Sequence, residues 1–413
     1  MRDVRSYVIV GNGIAATGCI EGIRSVDAEG PITVVSREAR PAYCRPLISY
    51  LLEGKTDLAH MTYRDADFYD RAGCEVLYGR TAVRVDAARH VAVLDDGSEV
   101  GYDALCVAAG ASPFEPSYPG LETVRSRHFF TTLDDALGLE RVIEPTSRVL
   151  ILGAGLIGLK CAEGIAGRAG TVTVCNRSDG ILSSILDKEG SALMRARLEE
   201  RGVTLVLGDV VERFEDGIAH LSSGADIPFD VLVLAVGMRA NVGLVAGEGG
   251  EVDRGIVVDD RMRTSLPEVF AAGDCAQGYD VSLGERRVLA THPNAYLQGH
   301  AAGVNMAGGD ERFDKGLPLN SIGLFGLHAM TAGTYVGDVY EERSEGSLKR
   351  LFVENGLLKG FILVGGSERA GIYTSLIRER VPLDSFDFGA LMHAATTTAF
   401  PTERRRHMFG EAV

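Results

Sequence analysis

Cys44, Arg45 and Pro46 stand together in the stretch PAYCRPLISYLLEGK (Pro41 to Lys55), which places a thiol beside a fixed positive charge. A cationic neighbour lowers a thiol pKa and makes the sulfur nucleophilic, so redox catalysis is the first chemistry to consider. A dithiol centre needs a second sulfur within reach. Position 49, five residues on, is serine, and no CxxC pair occurs among the seven cysteines. Their odd number and scattered positions argue against a disulfide framework and against a zinc or iron–sulfur site, and fit a reducing cytoplasm. The nine histidines show no metal-ligand spacing either, and no Ser/His/Asp set stands out, so no metal is expected.

Stronger chemistry lies in two glycine-rich stretches that match one another. YVIVGNGIAATGCIEGI begins at Tyr7 and RVLILGAGLIGLKCAEGI at Arg148. Gly11 matches Gly153, Gly13 matches Gly155, Ala16 matches Gly158 and Cys19 matches Cys161; Glu21-Gly22-Ile23 matches Glu163-Gly164-Ile165. Each copy runs from an apolar strand pattern through GxGxxA or GxGxxG into a helix pattern, then a second strand, PITVV or TVTVC. The first glycine makes the tight turn, the second lets backbone approach a pyrophosphate, and the third small residue lets helix pack on strand. The free N–H groups and positive dipole end of the helix then face the phosphates. Cys19 and Cys161 fall at matching helical positions and are expected to be small packing residues.

The end of the second strand chooses the nucleotide. Glu38, just past ITVVS, would bind ribose hydroxyls. In the second copy the matching place is Cys175-Asn176-Arg177, with no acid. Arg177 there would meet a 2′-phosphate and leans toward NADPH, whereas Gly158 completes the form more common with NADH.

These turns need sheets and helices behind them. A chain of 413 residues suggests two or three domains. Hydrophobic residues at 46% and charged residues at 24% are ordinary for a soluble protein. The net charge of −15 argues against nucleic acid or an anionic membrane as partner. No apolar run reaches the length of a membrane span, and the start passes straight into a strand, with no room for a signal peptide. From about Asp310 the pattern changes to strands, with a hairpin signal at Asn355-Gly356 and a helix over SERAGIYTSLIRER.

Four more stretches complete the pattern: YDALCVAAGASPFEPSYPG, FDVLVLAVGMRAN, GIVVDDRMRTSLPEVFAAGDCAQ and THPNAYLQGHAAGVNMAG. Together the chain resembles the FAD-dependent pyridine nucleotide-disulfide oxidoreductase superfamily. Through Y-x-R-P it is most similar to the branch of NAD(P)H:rubredoxin reductases and the N-terminal half of the nitrite reductase large subunit. The resemblance implies an α/β fold of two Rossmann-like, three-layer ββα dinucleotide-binding domains, the second inserted in the first, plus a smaller C-terminal α+β domain. Its boundaries would be 1–115 and 245–309 for FAD, 116–244 for NAD(P), and 310–413 for an interface or acceptor domain.

Carried over by residue, the resemblance implies that Gly11, Gly13, Ala15, Ala16 and Glu38 hold the FAD pyrophosphate and ribose. Arg45 and Pro46 would lie beside the FAD, Ala82 would touch the adenine through its backbone, and Ala109 and Gly110 would close over the dinucleotide. Gly273 and Asp274 would meet the ribityl chain, and the helix starting near Asn294 would point at the flavin pyrimidine edge. Gly153, Gly155, Ile157, Gly158, Arg177 and Gly237 would frame the nicotinamide dinucleotide. Glu163 would sit close to the nicotinamide and is the one candidate catalytic residue. His292 is expected to be structural first. Many relatives carry a lysine at the position of Tyr50, so a Lys–Glu pair with Glu163 is expected to be absent. Disulfide reductases of the superfamily use CxxxxC; with Ser49 in the second place, Cys44 is expected to be a bystander.

The implied activity is hydride transfer from NAD(P)H, with a weak lean to NADPH, to FAD, and electron transfer onward to a rubredoxin-, ferredoxin- or nitrite-reductase-type protein. The expected form is a cytoplasmic monomer or homodimer. An NAD(P)H oxidase or peroxidase, a redox-sensing flavoprotein with little turnover, and a detached electron-input subunit are the alternatives. The basic cluster Arg404 to Arg406 is expected first to be a solvated helix end; the alternative is that it steers an acidic carrier.

Overall fold

The computed structural model describes residues 5–366, 369–393, 396–402 and 405. β1 (Tyr7–Val10) reads YVIV and is buried throughout, as a parallel strand covered on both faces must be. It is followed by α1 (Ile14–Val26), β2 (Ile32–Ser36), α2 (Ile48–Leu52) and β3 (Cys74–Tyr78). β1 pairs in parallel with β2 and with the strand Ala104–Val107, β2 pairs with β3, and Val269–Ala271 completes this five-stranded sheet.

A second parallel sheet repeats the plan. Arg148–Leu152 takes the place of β1, flanked by Thr171–Asn176 and Val231–Leu234, with Val203–Leu207 and Arg127–His128 at its edges. Each unit also carries a small three-stranded antiparallel sheet, 82–101 in the first and 211–228 in the second. The whole second sheet lies in sequence between Ala104–Val107 and Val269–Ala271, so the second unit is inserted in the first. The two are joined by an antiparallel ribbon of Ala111–Pro113 with Met238–Ala240.

The helix His292–Met306 packs along α1 with almost no side chain between them. A Cβ on Gly18 would lie 2.3 Å from the Tyr296 carbonyl oxygen, and one on Gly22 2.2 Å from that of His300. Reciprocally, a Cβ on Gly299 would lie 2.0 Å from the Ala15 oxygen, and one on Gly303 2.1 Å from that of Cys19. Glycines four apart on each helix therefore let the backbones touch, and the N-termini of both helices open on the same end of the first sheet. Cys19 and Cys161 are fully buried in their helices, the packing role expected of them.

The last segment forms a five-stranded antiparallel sheet, in the order 319–324, 327–333, 357–364, 347–354, 338–344. Asn355 and Gly356 turn its central hairpin with φ of 53° and 69°, the left-handed pair that an Asn-Gly turn supplies. The helix Ala370–Arg378 packs on this sheet through Tyr373, Leu376 and Ile377. Among the described residues no helix is long and apolar enough to cross a membrane. Arg404 and Arg406 lie outside the described residues.

Candidate functional site

Gly11 has φ of +115°, and a Cβ there would lie 2.2 Å from the Ala108 carbonyl oxygen. Gly153 repeats this at φ +106° and 2.3 Å from the Ala235 oxygen. Only glycine fits either place. Gly13 and Gly155, which cap the following helices, have open space where a Cβ would point, so each turn presents bare backbone to a ligand. The third small residues face inward: Ala16 is fully buried, and a Cβ on Gly158 would meet the Gly153 oxygen at 2.0 Å.

A cleft of about 510 Å³ opens above the first turn, within the roughly 300–1,000 Å³ of ligand pockets. It crosses the carboxyl end of the sheet. Glu38 and Ala82 line it on the β2 side, Gly11, Gly13, Ala15, Ala109 and Gly110 at its centre, and Gly273, Asp274, Ala295 and His292 on the Val269–Ala271 side. Arg45 reaches across it, pairing with Glu38 and donating to the Thr131 carbonyl at 3.1 Å. Tyr43 donates to Glu38 at 2.8 Å and accepts from the Leu133 N–H at 2.8 Å. Burial pushes the Tyr43 phenol well above its ordinary pKa, so it remains a donor.

At the other end, burial raises the Asp274 carboxyl above its usual range, and the Arg45 charge offsets this only in part. Its oxygens accept no hydrogen bond from any described residue, which leaves a desolvated acceptor facing the cleft. Burial, then the Arg45 charge, lowers the pKa of His292 beside it. The two ends suit a dinucleotide: a carboxylate with lone pairs to spare at Glu38, bare amides at Gly13, and an unmet acceptor at Asp274.

Several expectations change. Asn294 is fully buried, and its amide binds the Leu317 carbonyl at 2.8 Å and Thr291 Oγ1 at 2.9 Å. The cleft is met instead by His292 and Ala295 of that helix, because Asn294 points to the C-terminal segment. Pro46 is exposed and does not line the cleft; it opens the short turn before α2. Burial pushes the Cys44 thiol up, not down, and the Leu47 N–H offsets this only in part; the neighbouring Arg45 guanidinium pairs with Glu38. Glu163 does have a lysine. Lys160, one turn earlier on the same helix, forms an ion pair with it and stands over the Tyr50 ring at 4.4 Å from the centroid. The Glu163 side chain is only 3% exposed and also accepts from the Phe325 N–H at 2.5 Å, at the first turn of the C-terminal sheet.

Around the second turn, Ile157 is partly exposed in the first turn of its helix and Arg177 is exposed beyond Asn176. Gly237, at φ +137°, begins the ribbon between the units, and its neighbour Met238 lines the first cleft. Three supporting residues were not foreseen. Fully buried Gln298 accepts from the Gly273 N–H at 2.8 Å. Asn241 donates to the Ala109 carbonyl at 2.8 Å, and Tyr43 anchors Glu38. Asn241 closes the motif FDVLVLAVGMRAN, which is the one local signal for it; Gln298 acts on Gly273, 25 residues away, and Tyr43, though close to Glu38 in sequence, is itself held by the distant Leu133 N–H.

Comparison with known proteins agrees with this geometry. The chain is 36% identical over 392 residues to the NADH-dependent phenylglyoxylate dehydrogenase subunit epsilon of Aromatoleum evansii, covering 91% of this chain and 92% of that one. It is 29% identical over 386 residues to the assimilatory nitrate reductase electron transfer subunit of Bacillus subtilis (strain 168), covering 90% of this chain but 49% of that protein. The chain thus spans about half the length of the Bacillus relative. Its fold superposes on the covalent putidaredoxin reductase–putidaredoxin complex with a TM-score of 0.85 at 23% identity, over 92% of this chain and 94% of that one. The model of the pyridine nucleotide-disulphide oxidoreductase family matches residues 5–299, and with the two glycine turns in place the chain belongs to that family.

Proposed function

We propose that the chain is an FAD-dependent NAD(P)H reductase that passes electrons to a protein acceptor. The observation that carries this is the pair of bare-backbone glycine turns, one of them opening on a cleft with Glu38 at one end and Asp274 at the other. FAD, when bound, would supply the redox chemistry, hydride acceptance from a nicotinamide and onward electron release. The chain's own task is to hold and align. Gly13 would bring its amide to the pyrophosphate, with Gly11 making the turn through its N–H to the Val35 carbonyl, Glu38 would accept ribose hydroxyls, and Asp274 would accept from the polyol chain. Arg45 keeps positive charge beside the cleft, and Ala82, Ala109 and Gly110 close its walls. Gly153, Gly155, Ile157, Gly158 and Gly237 frame the nicotinamide nucleotide, and Glu163 fixes the helix that carries that turn. The lack of an acid in Cys175-Asn176-Arg177, with Arg177 exposed there, favours NADPH.

Residues 1–115 with 245–309, 116–244 and 310–413 serve as FAD, nucleotide and acceptor units in this reading. The relative named an electron transfer subunit supports a protein acceptor. No cysteine lines the cleft among the described residues, which disfavours peroxide or disulfide as acceptor. The test is anaerobic stopped-flow mixing of the FAD-loaded protein with NADH and NADPH, then with oxygen or with small iron–sulfur carriers. Flavin bleaching and faster reoxidation by a carrier than by oxygen are expected. If neither nucleotide bleaches the flavin, the proposal fails.

A further inference from the structure

The two units cover the corresponding face of their first helices in different ways. Gly22 of α1 matches Gly164 of the helix Leu156–Ile165. At Gly22 the face is closed from within the first unit, by the helix His292–Met306, whose His300 carbonyl oxygen would lie 2.2 Å from a Cβ. At Gly164 the face is closed by α2, which comes from the other unit. A Cβ there would lie 3.0 Å from the Ser49 carbonyl oxygen and 3.4 Å from Leu52 Cβ. Arg168 donates to the Leu52 carbonyl, and Ile48, Leu52 and Met61 share one buried core with Leu133, Leu139 and Ile165 of the second unit.

Tyr43 stands where this arm leaves the cleft. Its phenol donates to Glu38 and accepts from the Leu133 N–H, both at 2.8 Å. Leu133 opens the helix Leu133–Val142 of the second unit, so one oxygen joins the acid of the first cleft to a helix N-terminus in the other unit. Two more links run the same way: Arg45 donates to the Thr131 carbonyl at 3.1 Å, and Arg40 pairs with Asp134. Segment 40–52 therefore holds Glu38 at one end and packs on the helix of the second glycine turn at the other. Tyr43 is buried, so removing its hydroxyl leaves the Leu133 N–H and a Glu38 oxygen short of partners.

We propose that Tyr43 is a positioning residue for hydride transfer, acting through the arm 40–52 to set the second glycine turn against the first cleft. The inference rests on the reductase reading above. Hydride transfer needs its two partners near contact, and a misplacement of about 1 Å can cost about a hundredfold in rate. A ligand that engages Glu38 orders Tyr43, and with it the helix Leu133–Val142. By linkage the FAD site and the nucleotide site then share one coupling free energy, equal in both directions.

Calorimetric titration of NAD+ and NADP+ into the apoprotein and into the oxidised, FAD-loaded full chain reads this coupling apart from turnover. For the nucleotide that binds, FAD-loaded wild type is expected to bind at least about fivefold more tightly than apoprotein, and Tyr43→Phe to bring that ratio within about twofold of one. Stopped-flow flavin reduction at saturating nucleotide should slow by about tenfold or more in Tyr43→Phe. Gly164→Ala presses on the Ser49 carbonyl from the far end of the arm and touches no cleft residue. It should slow the same step by about fivefold or more while FAD affinity is kept. A merely structural role for Tyr43 would lower the melting temperature and leave the ratio and the saturating rate as in wild type. That result, or a wild-type ratio of one, overturns the proposal while the reductase function stands. Should Tyr43→Phe fail to fold, wild-type reduction kinetics in Gly164→Ala overturn it equally. If neither nucleotide binds and neither bleaches the flavin, the reductase reading itself fails.

Discussion

Asp274 and His292 carry opposite burdens in the cleft, and both can be read by titration. The Asp274 carboxyl is raised, so the folded protein holds that proton more tightly than the unfolded chain. Stability from this group therefore falls as pH rises above the usual carboxylate range. Asp274→Asn should raise the apoprotein melting temperature at pH 7.5. It should also weaken FAD ten- to a hundredfold, as loss of a hydrogen bond to a charge costs about 1.5–3 kcal/mol. Equilibrium dialysis of FAD and thermal unfolding measure the two effects separately. His292 is lowered, so its contribution is present above about pH 6.5 and is lost as pH falls below that value. The melting temperature of apo His292→Gln should therefore gain on wild type between pH 7.5 and 5.5. A constant difference across that range would show that the imidazole is not desolvated.

At the scale of elements, the close crossing of α1 with the helix His292–Met306 sets where the cleft ends meet. Gly303→Ala puts a Cβ 2.1 Å from the Cys19 carbonyl oxygen, and backbone there cannot yield without moving a helix. Overpacking of this kind costs roughly 1–3 kcal/mol, and FAD retention should fall with it because His292 and Ala295 move too. Gly138→Ala is the control. That glycine sits in the helix Leu133–Val142 with open space around its Cβ, so the change should stabilise by about 0.4–1 kcal/mol. Urea unfolding of both variants gives the comparison, and similar midpoints would contradict the crossing argument.

For the molecule as a whole, Lys160 and Glu163 form a joint between three parts of the chain. Tyr50 comes from α2, the ion pair from the helix of the second glycine turn, and the Phe325 N–H from the C-terminal sheet. Lys160→Met leaves a buried carboxylate without its cation, which costs about 3–5 kcal/mol. Adding Glu163→Gln should restore most of that stability, since the amide oxygen can still accept from Phe325. A double-mutant cycle in urea measures the coupling, and additive losses would show that the two side chains do not act together.

The amino-acid sequence by itself determined the repeated strand–turn–helix units, and with them Gly11, Gly13, Gly153, Gly155 and Glu38, while Asp274 was indicated only by the family resemblance. Those features are local: a positive φ, a bare turn or an acid after a strand is written within a few residues. What the tertiary structure decided depends on residues far apart. Tyr43 meets Leu133, Gln298 meets Gly273, and Asn294 turns to Leu317 rather than to the cleft. Position 50 had suggested a missing lysine, yet the charge returns from Lys160, because a helix face and not a sequence offset brings it to Glu163. Likewise only strand register equates Glu38 with Ser178, since the two loops differ in length before the strands come into line. Burial, which no local pattern announces, raises the Cys44 thiol pKa, although Arg45 stands next to it in sequence.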